Sequence, residues 1–269
     1  SSGQIDEKIF NYVCEYSGLA KSKVPENSQS ESNLIKEGLD AWRNDRYKEA
    51  YDIWHPLAKQ GNAEAQYYMH WLGGRGGGRQ ISTDRAKYWL IKSSEQGYAP
   101  ALHKESGYYV YGYTDKGYEK DEKKAIELLK RAVETGYADS QLLLGTYYMK
   151  GVKSVRKNPE KGLNLITKAA EQNHALAQND LGNIYLGTSD VPINYEKALY
   201  WLKKAAEGGL GTAQANLGLM YINGQGTRKS LKEAAYWVGK SYDTFYEMNG
   251  IANDKVQEIW DEYELWKYE

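Results

Sequence analysis

The chain has 269 residues, and its 35 basic and 36 acidic side chains leave a formal net charge of −1. This balance argues against a general affinity for nucleic acid or for an anionic membrane surface. No segment approaches the roughly 20 apolar residues of a membrane-spanning helix. The single cysteine, Cys14, excludes an internal disulfide and offers no metal cluster.

The N-terminal residues predict a helix, a linker and a second helix. Residues 5–16 have the spacing of an amphipathic helix, whereas residues 17–32 are rich in Ser, Lys, Pro, Asn and Gln and predict a loose linker. Residues 33–44 predict a helix that pairs with another over residues 47–60. The chain begins Ser-Ser-Gly-Gln without methionine, so we expect that a signal or a tag was removed upstream.

A short motif recurs five times along the chain, and successive copies start 36, 39, 37 and 36 residues apart. A fixed period of this length indicates stacked supersecondary units that bury their apolar faces against their neighbours. It favours a function based on an extended surface over one based on a catalytic pocket. The copies, such as Gly-Asn-Ala-Glu-Ala-Gln, occupy residues 61–66, 97–102, 136–141, 173–178 and 209–214.

The repeat that starts at residue 194 shows the plan most clearly. Residues 194–207 predict a first helix with one apolar stripe, and residues 212–223 predict a second helix that carries Leu217 and Gly218. Glycine lowers helix propensity, so we expect Gly218 to permit a close approach between the two helices of the pair.

The full pattern is Ala-x-x-x-Leu/Trp-x-x-Ala-Ala-Glu-x-Gly-x-x-x-Ala-Gln-x-x-Leu-Gly-x-x-Tyr-x-x-Gly, and it resembles the Sel1-like repeat (SLR) family, which is related to the tetratricopeptide repeats. The resemblance implies an all-α fold: a right-handed α-α superhelix, or solenoid, of about five to six helix pairs with N- and C-terminal capping helices. Pro56 lies in a segment that looks like the opening unit of bacterial members, and it should kink or restart its helix. We divide the chain into an N-terminal helix and linker (1–32), a capping half-repeat (33–46), the repeat array (47–242) and a C-terminal capping helix (243–269).

Two further helices are predicted at the C-terminal end. Residues 231–248 predict one long helix, because the glycine that usually ends the first helix of a repeat is missing at its expected position. Residues 253–267 predict a terminal helix. The end of a solenoid must cover its last open core, and the terminal helix does so with four residues on one face: Val256, Ile259, Trp260 and Tyr263.

Neither catalysis nor metal binding is predicted. The glycine-rich segment 73–78 lacks the Lys-Ser/Thr of a phosphate loop and predicts a flexible loop, with an anion site at Arg75 and Arg79 as the alternative. We therefore predict a protein that is not an enzyme and that uses no cofactor or metal. The four histidines do not share the spacing of metal ligands: His55, His70, His103 and His174.

Basic residues recur seven positions apart along the first helices. One interpretation is a cradle for an acidic partner segment. The preferred alternative is that each base pairs with a glutamate three residues later, such as Glu95, Glu134, Glu171 or Glu207, and surface pairs of this kind contribute little stability. The basic residues are Arg85 and Lys92, Lys124 and Arg131, Lys161 and Lys168, Lys197 and Lys204, and finally Lys240.

The first two repeats depart from the pattern. Glu105 replaces the second-helix leucine, His70 and Ser106 replace the glycine that follows it, and Gly73 replaces the tyrosine. Polar residues in a core are costly unless they are hydrogen-bonded. Two interpretations are open: a specialised binding surface, or a shifted helix register in the second repeat. Aromatic residues crowd the same region: Tyr67, Tyr68, Trp71, Tyr108, Tyr109, Tyr111 and Tyr113.

The favoured hypothesis is a scaffold or adaptor that binds another protein on its concave face. Tyrosine and tryptophan anchors would supply affinity, and charges would set orientation. The predicted partner-binding residues are Tyr68, Trp71, Tyr88, Lys92, Tyr108, Tyr109, Tyr111, Lys124, Arg131, Tyr200 and Lys204.

The resemblance implies a bacterial, exported protein. The first residues are those expected of a bacterial lipoprotein without its signal and acylated cysteine, so we expect the periplasm or cell envelope, with a lipid anchor upstream of residue 1; the cytoplasm is the alternative. It further implies one of two roles: an immunity protein that neutralises a secreted toxin or lipase, or an adaptor for envelope assembly or signalling. The short array and the many tyrosines favour the immunity role. A carbohydrate-binding module is the alternative from another class, because aromatic rings stack on sugars.

Overall fold

The protein is described here from a computed structural model, which covers residues 26–73, 81–152, 154–249 and 253–268. These residues form thirteen α-helices, and β-structure among them is limited to one isolated bridge between Val152 and Val155. Consecutive helices pack against one another within residues 26–134 and within residues 159–262, which confirms the predicted all-α array of helix pairs.

The helix bounds follow the repeat. The helices are α1 Glu26–Arg43, α2 Tyr47–Lys59, α3 Ala63–Trp71, α4 Thr83–Glu95, α5 Ala99–Tyr111, α6 Glu122–Glu134, α7 Ala138–Lys150, α8 Pro159–Glu171, α9 Ala175–Asn183, α10 Tyr195–Glu207, α11 Gly211–Asn223, α12 Leu231–Asn249 and α13 Asp254–Glu262. Shorter helical turns span Thr114–Lys116, Ile184–Thr188 and Leu265–Tyr268.

The N-terminal end differs from its sequence prediction. Helix α1 begins at Glu26, so the linker predicted over residues 17–32 is wrong from Glu26 onwards. Burial of an apolar face stabilises a helix more than its local composition does, and Ile35 and Ala41 are buried in the core shared with α2. Helix α2 continues through Pro56, so the predicted restart does not occur.

Several sequence predictions fall on residues outside the described ranges. They are the helix over residues 5–16, the part of the linker before Glu26, and most of the glycine-rich loop with its alternative anion site at Arg75 and Arg79.

The chain divides into two compact units between Ser140 and Gln141. The N-terminal unit has a core around Trp54, which is fully buried and stacks on Tyr68 with a centroid distance of 5.0 Å. The C-terminal unit has a core in which Leu202 and Leu217 are fully buried. Each unit thus has buried apolar side chains of its own.

The glycine of the Leu-Gly motif lies against the first helix of the following repeat. A Cβ atom added to Gly182 would lie 2.5 Å from Leu202 Cγ, and one added to Gly218 would lie 2.5 Å from Val238 Cγ2. Both distances are far below van der Waals contact. Gly218 therefore permits close packing between repeats, and the prediction that it permits close packing within its own helix pair is wrong.

The glutamine of the repeat motif ties the two helices of one repeat together. Its side-chain amide donates to a carbonyl oxygen near the end of the preceding helix, from Gln178 to Ala170 at 3.1 Å and from Gln214 to Ala206 at 3.2 Å. These glutamines are buried, and a buried amide is stable only when it is hydrogen-bonded. The Ala-Gln motif is thereby explained as a contact within one repeat.

An asparagine caps the start of α8 and of α10. Asn158 and Asn194 accept a hydrogen bond from the backbone N–H three residues later, at 2.9 Å in both cases. Such caps satisfy backbone donors at the helix start. They set the register of α8 and α10, and with it the side on which the basic residues of those helices lie.

The C-terminal helix packs on the last repeat. Val256 and Leu265 are buried in one cluster with Ala234 and Val238 of α12. The four residues predicted to share one face all belong to this cluster, either buried or packed against it: Val256, Ile259, Trp260 and Tyr263.

Candidate functional site

Three first helices carry the sequence Tyr-Trp-x-x-Lys, at residues 88–92, 200–204 and 236–240. Residues four apart on a helix lie side by side, so each lysine is a neighbour of its tyrosine; we call each set a Tyr-Trp-Lys trio. The tyrosines are about half exposed, at 51%, 53% and 52% in chain order. Three large aromatic residues in equivalent positions thus remain open to solvent.

The trio on α10 is a compact arrangement of two rings and a cation. Lys204 Nζ lies 4.9 Å from the ring centroid of Tyr200 and 5.5 Å from that of Trp201. The two rings meet edge to face at 4.9 Å. Cation–π attraction and ring contact therefore hold the three side chains together.

The trio on α12 repeats this geometry one repeat later in the same unit. Lys240 Nζ lies 4.9 Å and 5.5 Å from the two ring centroids, and the rings are 5.1 Å apart. Trp237 is 7% exposed and belongs to the core cluster, so it anchors the trio, whereas Tyr236 faces solvent. The C-terminal unit thus presents two equivalent trios in succession.

The trio on α4 differs in the partner of its lysine. Lys92 Nζ donates to a Glu95 carboxylate oxygen at 2.9 Å and lies 6.0 Å from the Tyr88 centroid. The predicted pairing of a base with the glutamate three residues later is confirmed here. On α10 the predicted pairing of Lys204 with Glu207 is not found. Lys203 Nζ instead lies 3.9 Å from a Glu207 carboxylate oxygen.

Basic residues at the start of the first helices lie over tyrosines of the preceding second helix. Lys124 Nζ lies 4.4 Å from the Tyr109 centroid, and its hydrogen bond to the Tyr109 hydroxyl at 2.7 Å raises the pKa of the lysine. Lys197 lies 5.2 Å from the Tyr185 centroid. At these two positions the basic row predicted from sequence also makes lysine–tyrosine contacts.

The other predicted partner-binding residues lie in the N-terminal unit and differ in exposure. Tyr111 is 73% exposed, whereas Tyr68 and Trp71 are half-buried, with ring centroids 5.2 Å apart. Arg131 donates to the Ser94 carbonyl oxygen at 3.1 Å. These residues do not form a trio of the kind found on α10 and α12.

Tyr108 is buried, so its predicted place on the binding surface is wrong. It is 5% exposed, and its hydroxyl oxygen lies 2.9 Å from His70 Nε2. The other ring nitrogen of His70 lies 3.2 Å from the Ala86 carbonyl oxygen. His70 and Tyr108 form a polar contact inside the core, because each satisfies the other's buried polar atom.

The second repeat keeps its helix register, so the shifted-register interpretation is wrong. Helices α5 and α7 begin at equivalent alanines, and Glu105 is 2% exposed at the position where Leu144 is 3% exposed. Burial raises the pKa of Glu105, and the Ser94 hydroxyl donates to its carboxylate. The polar substitutions therefore form a hydrogen-bonded core.

His70 should make stability depend on pH. Burial lowers the pKa of His70 to about 3 in the folded protein, from an ordinary value of 6.5. Between these values the unfolded chain binds one more proton, so the free energy of unfolding should fall as the pH drops from 6.5. The slope should approach about 1.4 kcal/mol per pH unit. Urea unfolding of the wild type and of H70Q between pH 3 and pH 6.5 measures this pH dependence. If the free energy of unfolding depended on pH in the same way in both proteins, His70 would not be its source.

Two parts of this arrangement were not predicted from the sequence. The α12 trio was absent from the predicted site, although recurrence of Tyr-Trp-x-x-Lys at residues 236–240 was a usable signal. Tyr118 was also missed: it is 1% exposed and packs on Tyr108 and Tyr109 with centroid distances of 5.0 and 5.1 Å. No sequence signal distinguishes it from the exposed tyrosines nearby.

Within the described ranges, no group of three or more His, Cys, Asp or Glu side chains is placed to hold a metal ion. None of the helices in these ranges combines the length and apolar character needed to cross a bilayer.

Solved structures of several bacterial proteins are similar to this chain. A protective antigen of uropathogenic Escherichia coli with an SLR fold is 28% identical, with a TM-score of 0.65 over 79% of this chain; this chain spans 46% of its length. A Sel1 repeat protein from Oxalobacter formigenes is 25% identical, with a TM-score of 0.65 over 78% of this chain and 85% of the other. An immunity protein from Pseudomonas aeruginosa is 16% identical, with a TM-score of 0.58 over 86% of this chain and 85% of the other.

The family model described as Sel1 repeat matches the chain five times in succession. The matches cover residues 63–98, 106–137, 138–174, 175–210 and 211–243. The second match begins after Glu105, where the repeat departs from its usual leucine. Since these segments make up more than half of the sequence, the chain belongs to the Sel1 repeat family.

Proposed function

We propose that the protein is a non-enzymatic scaffold that binds another protein through the exposed Tyr-Trp-Lys trios of α10 and α12. The observation that carries this proposal is the repetition of one geometry on two successive first helices, with a half-exposed tyrosine in each. Exposed tyrosines on rigid helices lose little side-chain entropy on binding and are frequent binding anchors.

Within this role we propose an immunity function, in which the protein neutralises a secreted toxin or lipase by binding it. The likeness to an immunity protein supports this at the level of fold, and the many surface tyrosines suit tight association. A secreted effector would be met in the periplasm or cell envelope, so we propose that location as well. An adaptor for envelope assembly or signalling would use the same surface.

The test is a pull-down with the immobilised chain from an envelope extract of its source organism. We expect one protein to be retained in stoichiometric amount by the wild type and lost with the Y200A/Y236A double variant. The matched control is Y246A, which removes a tyrosine of α12 that is 55% exposed and lies outside the trios.

Carbohydrate binding is the second candidate, since half-exposed tyrosine rings stack on sugars as well as on protein. Retention of the chain on cell-wall or capsular polysaccharide, with no protein recovered, would favour it. If retention on polysaccharide were lost in Y200A/Y236A, the scaffold proposal would be overturned, and the trios would be the carbohydrate-binding surface instead.

A further inference from the structure

We propose that the trios of α10 and α12 bind an acidic, extended segment of the partner protein. This inference rests on the proposed function and adds the chemistry of the partner. The first supporting observation concerns the lysines of the two trios. Each forms a contact with aromatic rings, and among the described residues neither Lys204 nor Lys240 lies within ion-pair distance of a carboxylate. Their charge therefore remains available.

The trio lysines and the residues seven positions before them form a row that is mainly positive, although the two helices as a whole are balanced in charge. The equivalent positions seven residues apart are Lys197 and Lys204 on α10, and Glu233 and Lys240 on α12. Three positive side chains and one negative one favour a partner with an excess of carboxylates, because complementary charge speeds association and disfavours basic partners.

The trio on α4 shows how a carboxylate occupies such a site. There the chain's own Glu95 binds Lys92 at 2.9 Å, and Lys92 lies 6.0 Å from the Tyr88 ring. On α10 and α12 the corresponding lysines lie 4.9 Å from their tyrosine rings. A partner carboxylate would take the place that Glu95 holds on α4, and the neighbouring part of the segment would pack on the half-exposed tyrosine.

The spacing of the trios limits the spacing of the acidic residues. Helices α10 and α12 both pack against α11. Packed helix axes lie about 8–10 Å apart, so the two first helices are separated by at most about 20 Å. An extended chain advances about 3.3 Å per residue. Two acidic side chains that reach both lysines are therefore no more than about six residues apart in such a segment.

The experiment measures binding of a synthetic fluorescent peptide by anisotropy at low salt. The peptide carries glutamates at that spacing among serine and alanine, with one tyrosine, and its control has glutamine in place of glutamate. The test variant is K204Q/K240Q. The matched control is K229Q/K232Q, which removes the same charge from exposed lysines at the start of α12 and in the loop before it.

We expect K204Q/K240Q to weaken binding of the glutamate peptide by about tenfold or more, and K229Q/K232Q to change it by less than about twofold. Equal losses in the two variants, equal binding of the glutamine peptide, or no binding of either peptide would overturn the inference. Circular dichroism confirms that each variant is folded.

The inference and the proposed function fail in different ways. If the peptide does not bind but the natural partner is still captured and still lost with Y200A/Y236A, the scaffold stands and the acidic class of partner is wrong. If Y200A/Y236A retains the partner fully, the proposed surface itself is wrong.

Discussion

Replacing Leu217 with alanine should lower the free energy of unfolding by about 2–5 kcal/mol. Leu217 is fully buried in a cluster with Leu202 of α10 and Trp237 of α12. Its removal leaves a cavity where three helices meet, because the neighbouring Gly218 already holds α11 close to α12. Urea denaturation followed by circular dichroism gives the difference.

The control for this measurement is Y236A, a change at a half-exposed position of the adjacent helix. It should alter stability by no more than about 1 kcal/mol, because the contacts of Tyr236 with Trp237 and Lys240 lie at the surface. An L217A protein as stable as the wild type would contradict the packing between repeats described here.

Replacing Trp54 with alanine should cost about 3–5 kcal/mol in the N-terminal unit. The indole is fully buried, donates from Nε1 to the Ile35 carbonyl oxygen at 3.3 Å and stacks on Tyr68. Gly38 is part of the same contact, since any side chain there would collide with the indole ring. We expect a large fall in melting temperature.

W266A provides the comparison, because Trp266 is 47% exposed. That variant should melt close to the wild type. If both tryptophan variants lost the same stability, burial would not explain the result at Trp54.

The fold could be predicted from the sequence because the signal is local and repeated. Helix existence follows from apolar stripes of the kind that includes Ala198 and Leu202, and glycines mark the breaks between helices. The start of α1 was missed because its N-terminal turns are polar, and the residues that stabilise it against α2 lie further along the chain.

The candidate site was only partly predictable. Two lysines are each followed by a glutamate three residues later, Lys92 by Glu95 and Lys204 by Glu207. Only the first of these pairs forms an ion pair. The choice depends on side-chain orientation, because Lys203 competes for Glu207. Spacing alone does not encode that orientation.

Non-local contacts explain the remaining errors. The sequence around Tyr108 predicts a surface aromatic residue. In the structure its hydroxyl instead contacts His70, which lies 38 positions earlier. Likewise, Glu105 occupies a leucine position without a shift in register, because Ser94 donates to it from the preceding helix. His70 thus has its partner in the following repeat, whereas Glu105 has its partner on the first helix of its own repeat.

The affinity of the captured partner for the tyrosine variants tests the central claim most directly. Isothermal titration of that partner into wild type, Y200A/Y236A and Y246A compares the trio tyrosines with an exposed tyrosine of the same region. The two trio tyrosines together should account for about 2–4 kcal/mol of binding free energy, with the Y246A affinity close to that of wild type. Equal affinity for wild type and Y200A/Y236A, with both proteins folded, would show that the trios are not the binding surface.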